Sequence, residues 1–144
     1  MTAQTKHQSI GLIVVGDEIL SGKRHDKHFP EVLSMLSDRD LALSWVQYLG
    51  DDRPRLTAAL ARTMASNDLV FCCGGIGSTP DDHTRQAAAE AAGQPLRLHP
   101  QARVLITKRC ENLAREGKGS ADMNIPENQL RLKMGEFPAN AGIV

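Results

Sequence analysis

The residues best suited to chemistry lie in one segment, residues 71–84, which reads F-C-C-G-G-I-G-S-T-P-D-D-H-T. A glycine-rich turn follows an apolar run, and two carboxylates follow the turn. Gly74, Gly75 and Gly77 can adopt positive φ angles at little cost, and without Cβ atoms they let a ligand touch the main chain. A glycine turn that enters a helix N-terminus aims backbone N–H groups at one point. An anion, most often a phosphate, is the expected ligand.

The carboxylates of Asp81 and Asp82 would repel a phosphate, so their use beside it requires a bridging divalent cation. Mg²⁺ fits, because proteins commonly hold it with one or two carboxylates, phosphate oxygens and water. The same residues also suit a simple helix start, with Thr79 as the N-cap and Pro80 at the first helical position. The spacing matches neither the dinucleotide motif G-x-G-x-x-G nor the phosphate loop that ends in Gly-Lys-Ser/Thr.

Two further acidic turns favour a functional site over helix capping alone. Gly16-Asp17-Glu18 follows the first predicted strand, and Gly50-Asp51-Asp52 follows the second. Ligands of an open parallel sheet bind outside the carboxyl ends of its strands. We therefore expect the three acidic turns along one edge of the sheet. Taken by themselves, Asp51 and Asp52 are equally well explained as helix caps.

Alternating strands and helices predict an α/β fold, a three-layer α/β/α sandwich with a mostly parallel sheet. Short continuous apolar runs are typical of buried strands, and apolar residues three and four apart indicate helices. The predicted strands are residues 10–15, 41–49 and 69–73, and the predicted helices lie around residues 29–36, 56–63, 80–92 and 100–115, with a last short piece near residues 128–134. Gly93 is the expected stop of the third helix.

The chain has 144 residues, 41% of them apolar, which is enough for one domain with a single core. Residues 1–8 are polar and are predicted to form a disordered tail before a domain that covers residues 9–144. The chain ends in A-N-A-G-I-V, where an apolar run begins. We therefore expect the native domain to continue beyond Val144.

Composition excludes several classes of partner. Seventeen basic and seventeen acidic side chains cancel, and only 3% of residues are aromatic, which argues against nucleic acid and anionic membranes as partners. The apolar run at residues 10–15 is too short for a signal sequence or a membrane span. The three cysteines have no C-x-x-C spacing and are expected to be buried free thiols. We expect a cytoplasmic protein with a small-molecule phosphate ligand.

Three motifs together resemble the molybdopterin-binding domain family of molybdenum-cofactor biosynthesis. They are G-D-E-I-L-S-G, G-D-D before a helix, and G-G-I-G-S-T-P-D-D-H-T, in the family's order and at similar spacing from Ser9 onward. The family includes MogA, MoaB, part of MoeA and gephyrin, and the N-terminal module of CinA-like proteins. Ile76 stands where MogA and MoaB carry Thr, and the opening motif is typical of CinA-like proteins. The chain looks most similar to that branch.

The resemblance implies a phosphate site at the glycine turn. It makes Asp51 and Asp82 the candidate catalytic residues and the candidate ligands of Mg²⁺ or a similar divalent cation, with molybdopterin or an adenine nucleotide as the bound ligand. Members of the family are commonly dimers or trimers, so a homodimer or homotrimer is expected. The candidate cofactor-binding residues are Gly16, Asp17, Glu18, Gly74, Gly75, Ile76, Gly77, Ser78, Thr79 and Asp81.

One position departs from the CinA-like pattern. Asp26 falls where CinA-like proteins carry D-x-N, but His28 replaces the Asn. His28 either substitutes as a hydrogen-bonding group or lies exposed at a helix start.

Three functions stay open from the sequence. The first is a module that binds a phosphate-bearing pterin or nucleotide at residues 74–77. The second is a metal-dependent pyrophosphatase that acts on ADP-ribose-like nucleotides, an activity associated with CinA-like modules. The third is a molybdopterin adenylyltransferase of the MogA type, which Ile76 disfavours. His83 is a candidate general base only if it points inward, and whether the chain is an enzyme stays open.

Overall fold

The computed structural model describes residues 8–144, so the predicted tail lies outside the described residues except for Gln8. The strands are β1 (Ile10–Val15), β2 (Trp45–Leu49), β3 (Leu69–Cys73), β4 (Leu96–Leu98) and β5 (Glu136–Pro138). The helices are α1 (Asp17–Leu20), α2 (His28–Ser37), α3 (Arg53–Met64), α4 (Thr84–Ala92), α5 (Pro100–Arg115) and α6 (Pro126–Lys133). No helix among the described residues is long and apolar enough to cross a membrane.

Strand β1 is the middle strand of a three-stranded parallel sheet, between β2 and β3. Gly11 lies opposite Trp45 of β2 and opposite Val70 of β3. Every residue of β1 is buried, because its neighbours cover both edges and helices cover both faces. Its continuous apolar sequence is the consequence of that central place.

The alternation of side chains along β1 divides the core into two layers. Leu12 and Val14 face α2, where they pack with Val32 and Leu36. On the opposite face Ile13 and Val15 pack with α3 and α4; the buried helix residues there are Leu56, Leu60 and Ala87. The predicted three-layer sandwich with a parallel sheet is therefore the observed architecture.

The sequence predicts a helix that begins at about Pro80, but in the structure this helix, α4, begins at Thr84. The carboxylate of Asp82 accepts hydrogen bonds from the N–H and the hydroxyl of Thr79, at 2.9 and 2.6 Å, which closes residues 79–82 into a separate turn. The N–H of Thr84 donates to the carbonyl of Gly75 at 3.0 Å. This bond starts the helix against the glycine turn. Gly93 ends it in the left-handed conformation, as predicted.

Strand β2 begins at Trp45 and not at residue 41. Asp40 has a φ angle of 53°, and the N–H of Leu41 donates to the carbonyl of Leu36 at 2.9 Å. This left-handed residue and the backward hydrogen bond close the end of α2. The apolar residues at the start of the predicted strand therefore belong to the loop between α2 and β2.

The C-terminal part adds a small antiparallel sheet of β4 and β5 beside α4. Gly135, directly before β5, is buried against Ala102 and Ile106 of α5; a Cβ atom there would lie 2.9 Å from Ile106 Cδ1. This close contact fixes the start of β5. It brings the main chain at Lys133 and Glu136 beside the first turn of α4.

Replacing Gly11 with alanine is expected to destabilise the fold by about 1–3 kcal/mol. A Cβ atom at Gly11 would lie 2.1 Å from the ring of Trp45, and the indole N–H of that ring donates to Asp68 at 3.0 Å, which limits its movement. Urea denaturation followed by the fluorescence of Trp45, the one tryptophan, measures the change. Gly142→Ala is the control, since nothing lies within 4 Å of its Cβ position. Equal stability of the two variants would contradict the packing argument.

Candidate functional site

The loops after β1 and β2 are joined at the carboxyl edge of the sheet. The N–H of Gly16 donates to the carbonyl of Leu49 at 2.9 Å. Asp17 and Asp51 then exchange hydrogen bonds: each carboxylate accepts the main-chain N–H of the other residue, at 3.1 and 3.0 Å. These two acidic residues brace the two loops against each other.

The glycine turn, residues 74–78, follows β3 at the same edge. Gly74 and Gly75 have φ angles of 93° and 65°, which favour glycine. A Cβ atom on Gly74 would lie 2.1 Å from the carbonyl oxygen of Val15, and one on Gly75 would lie 2.5 Å from Thr84 Oγ1. The turn therefore passes directly over the end of β1 with no room for side chains at these two positions.

The third glycine of the turn is needed for a different reason. A Cβ atom on Gly77 would lie 2.6 Å from the carboxylate of Asp82, so this glycine lets the carboxylate approach the main chain. Among the hydrogen bonds of residues 8–144, none is donated by the main-chain N–H groups of Gly75, Ile76 or Ser78 to a protein acceptor. These three donors are unpaired within the described residues, and Gly75 and Ile76 line a cavity.

The glycine turn forms one wall of a cavity of about 440 Å³, which we call the turn groove. Residues 24–28, which lead into α2 and which we call the basic segment, contribute to the lining of the same cavity. The turn groove is lined by Val15, Glu18, Ile19, Arg24, His25, Lys27, His28, Gly74, Gly75, Ile76, Gly77 and Asp82. Arg24, His25, Lys27 and His28 thus line the same cavity as the glycine turn, whose main chain carries N–H groups without a protein acceptor.

Asp26 holds the basic segment in place. Its carboxylate accepts hydrogen bonds from the N–H groups of His28 and Phe29, at 2.7 and 3.2 Å, and from the hydroxyl of Tyr48 in β2, at 2.7 Å. Burial raises the pKa of Asp26, but the hydrogen bond from Tyr48 and the two from the main chain outweigh it, so the pKa lies below its ordinary value. The same bond to Asp26, with burial and the charge of Asp26, raises the pKa of Tyr48.

Asp82 is the predicted catalytic carboxylate that lies in the turn groove. Partial burial raises its pKa, but hydrogen bonds from Thr79 and from the main chain of Gly77, together with the charge of Arg85, lower the pKa below its ordinary value of 3.8. Asp82 is therefore an anion at neutral pH.

Asp51, the other predicted catalytic and metal-binding residue, has a different environment. It does not line the turn groove, and its contacts are with Asp17. Strands β2 and β3 lie on opposite sides of β1, about 10 Å apart at two strand spacings. No group of three or more His, Cys, Asp or Glu side chains within residues 8–144 is placed to hold a metal ion. A cation shared by Asp51 and Asp82 stays a prediction.

The other predicted site residues divide between two cavities and the solvent. Glu18 and Ile76 line the turn groove, with Ile76 57% exposed. Ser78 and Thr79 line a second cavity of about 640 Å³ between the glycine turn, α4 and α6, which we call the α6 cleft. Gly77 and Asp82 line both cavities. Asp81 is exposed and lines neither.

Two groups of residues gain importance only in the structure. The basic segment contributes Arg24, His25 and Lys27 to the turn groove, and its only sequence signal is the concentration of basic residues after the first acidic turn. The second group is Arg85 alone, which is buried among the small residues of α4. An arginine at that place in an alanine-rich helix was the available signal.

His83, the candidate base named from the sequence, lines the α6 cleft and not the turn groove.

The cysteines take no part in the candidate site. Burial and the neighbouring Cys73 raise the pKa of Cys72 to about 11, and burial also raises the pKa of Cys73. Cys110 is fully buried and donates to Asn128 Oδ1 at 3.3 Å. All three are free thiols, as predicted, but only Cys110 is fully buried, and Cys72 and Cys73 are partly buried.

Residues 11–132 match the family model described as "Probable molybdopterin binding domain". The chain is 32% identical over 136 residues to a CinA-like protein of Anaeromyxobacter sp. (strain Fw109-5) and 33% identical over 133 residues to a CinA-like protein of Geobacter sulfurreducens. The alignments cover 94% and 92% of this chain but 30% and 32% of the relatives. The chain thus spans about a third of the length of these curated relatives.

Solved structures give the same fold. The protein CinA of Thermoplasma acidophilum, described as having unknown function, superposes with a TM-score of 0.71 at 26% identity, covering 92% of this chain and 71% of that chain. MoaB of Thermus thermophilus superposes with a TM-score of 0.53 at 20% identity, covering 70% of this chain and 63% of that chain. The predicted MogA-like fold and the similarity to CinA-like proteins are both confirmed.

The hydrogen bond between Tyr48 and Asp26 gives a direct test of how the basic segment is held. Tyr48 is the one tyrosine, so ultraviolet titration of the phenol reports its pKa, expected above the ordinary value of 10.0. Asp26→Asn should return the pKa towards 10.0, because the charge and the acceptor that favour the neutral phenol are weakened. Since the folded-state pKa is raised, this bond's contribution to stability is complete below about pH 10 and is lost as the pH rises through the raised pKa.

An unchanged phenol titration in Asp26→Asn would contradict the assigned contact. Asp38→Asn is the control, because Asp38 lies at the opposite end of α2.

Proposed function

Because the chain belongs to the molybdopterin-binding domain family and is similar to its CinA-like members, we propose that it binds a phosphate-bearing pterin or nucleotide at the glycine turn, in the turn groove. The observation that carries this proposal is the turn groove itself. The glycine turn offers main-chain N–H groups without a protein acceptor, and Arg24 and Lys27 line the same cavity. Main-chain donors and cations in one cavity are the usual environment of a bound phosphate.

The formal net charge of the chain is zero, so attraction to an anion depends on where the charges lie. In the turn groove, Arg24 and Lys27 supply two positive charges, and the carboxylates of Glu18 and Asp82 supply two negative ones. His25 and His28 add hydrogen-bonding groups, so the support for a phosphate comes from the donors of the groove and not from an excess of positive charge. A cavity of about 440 Å³ falls within the range of small-molecule sites.

A divalent cation fits this proposal through Asp82. Its ionised carboxylate lines the groove and would repel a phosphate, and an ion such as Mg²⁺ would join the two charges. When bound, the ion would neutralise negative charge on the ligand. Asp82 would hold it together with ligand oxygens and water, since the described residues offer no cage of three protein ligands. The role predicted for Asp51 at the same ion has no contact that supports it.

A second candidate function is the hydrolysis of a diphosphate such as that of ADP-ribose. The observation that favours it is the presence of a carboxylate with a lowered pKa in the same groove as the basic segment. The oxygen of water would bond to one phosphorus as the bridging P–O bond breaks, the departing phosphate would keep the bridging oxygen, and the protons of the water would pass to the product phosphates or to solvent. The products would be AMP and ribose 5-phosphate. The basic segment would stabilise the negative charge on the departing phosphate. Adenylyl transfer of the MogA type gains no support from relatives at 20–22% identity, which share the fold alone.

Gly75→Ala is expected to weaken the binding of ADP and inorganic phosphate by about tenfold or more, which is about 1.4 kcal/mol. The added Cβ atom would meet Thr84 Oγ1 at 2.5 Å and displace the turn. Gly93→Ala is the matched control, because Gly93 has nearly the same φ angle, 63° against 65°, but nothing within 4 Å of its Cβ position and no place in the groove. Calorimetric titration measures both variants.

Wild-type protein that is folded but binds neither probe would overturn the proposed binding function. Equal weakening by the two glycine variants would show that backbone strain, and not the turn itself, lowers the affinity.

Asp82→Asn is expected to abolish the turnover of ADP-ribose in the presence of Mg²⁺, if the second function is correct, because the neutral amide loses the charge that holds the cation. Chromatography of the products, AMP and ribose 5-phosphate, measures the reaction. Asp81→Asn is the matched control, since Asp81 is adjacent, exposed and outside both cavities. ADP binding by the wild-type protein without any turnover would reject the enzyme and keep the binding module.

A further inference from the structure

Arg85 is a charged residue that lies almost wholly inside the protein. It is the second residue of α4, and only 6% of its surface is exposed. Its Nη2 donates to the carbonyl of Gly77 at 2.6 Å, and its Nη1 donates to the carbonyls of Lys133 and, at 3.2 Å, Glu136. One guanidinium thus joins the glycine turn to the end of α6 and the start of β5.

Burial of this charge has a cost that its partners offset only in part. Burial lowers the pKa of Arg85, whereas the charges of Glu136 and Asp82 act in the opposite direction. The Nε atom is buried and has no hydrogen-bond partner among the described residues. A solvent-facing arginine would avoid this desolvation, so the retained contacts indicate a specific task for the buried side chain.

The bond to Gly77 orients a peptide plane of the glycine turn. The C=O of one residue and the N–H of the next point in opposite directions across a trans peptide. When Arg85 holds the Gly77 carbonyl, the N–H of Ser78 must point away from Arg85. This N–H is one of the donors that meet no protein acceptor within residues 8–144.

We infer that Arg85 is a positioning residue of the proposed phosphate site, which fixes the Gly77–Ser78 peptide and couples the glycine turn to the segment that joins α6 and β5. This inference rests on the proposed binding function. Arg85 acts through the main chain, and its Nη atoms are already bonded to carbonyls. The planar fork of a guanidinium reaches several acceptors at once, whereas the ammonium of lysine is a compact charge on a flexible stem.

The test compares Arg85→Lys with wild-type protein in calorimetric titrations with inorganic phosphate and ADP. Arg85→Lys keeps the charge but loses the fork, so the affinity for both probes should fall by about tenfold. Arg131→Lys is the control: Arg131 lies near the same end of α6, but its guanidinium bonds only within that helix, to Asn128 Oδ1 at 2.6 Å and to Glu127, and does not contact the turn. The affinity of Arg131→Lys for phosphate and for ADP should stay within about twofold of that of the wild-type protein.

A second readout separates positioning from simple stabilisation. Hydrogen exchange of residues 133–138 should slow when ADP saturates the wild-type protein, because the guanidinium links this segment to the turn. Arg85→Lys should gain no such protection, even at ADP concentrations high enough to saturate this variant. This readout compares bound with free protein of the same variant, so a general loss of stability does not produce it.

The outcomes distinguish the inference from the proposed function. Wild-type protein that binds neither probe overturns both. Wild-type binding together with unchanged affinity in Arg85→Lys, or with equal losses in Arg85→Lys and Arg131→Lys, overturns only the positioning role. If Arg85→Lys does not fold, wild-type protein whose residues 133–138 gain no protection on binding ADP overturns the coupling.

Discussion

The burial of β1 on both faces and both edges is the constraint on which the rest of the molecule depends. Because the strand ends inside the core, the chain that leaves it and the chains that leave β2 and β3 must all turn at one edge within a few residues. Gly74 shows how little room remains: a Cβ atom there would lie 2.1 Å from the carbonyl oxygen of Val15, the last residue of β1. The glycines of the turn are thus required by the packing at the end of β1, apart from any ligand.

The acidic residues at this edge do different work although they look alike in the sequence. Asp17 and Asp51 satisfy each other's main-chain N–H groups and hold two loops together. Asp26 caps the start of α2 and accepts a bond from Tyr48. Asp82 alone, of these four, lines the turn groove. Three of these four carboxylates therefore hold loops or a helix start, and Asp82 both closes the turn at residues 79–82 and lines the turn groove.

The site combines a shared fold with side chains of this chain. The fold is shared with a solved structure at 20% identity. His28 and Ile76 line the turn groove, and Ile76 is exposed on the turn itself. Ligand preference within a fold depends on such groove residues, because the scaffold tolerates their exchange without loss of packing.

Residues close together in the chain determined much of this structure by themselves. The apolar run of β1, the helical spacing of α2 and α3, the stop at Gly93 and the glycine turn all follow from local patterns, because their physical causes act over a few residues. The start of α4 did not follow from the local pattern. Residues 79–82 have the sequence of a helix start, but the helix begins at Thr84, whose N–H donates to the carbonyl of Gly75. Only the tertiary structure decided which polar groups meet. Asp17 and Asp51 are 34 residues apart, and Arg85 and Glu136 are 51 apart, and a side chain finds such partners only after the sheet order and the C-terminal packing have brought distant main chain within hydrogen-bond reach.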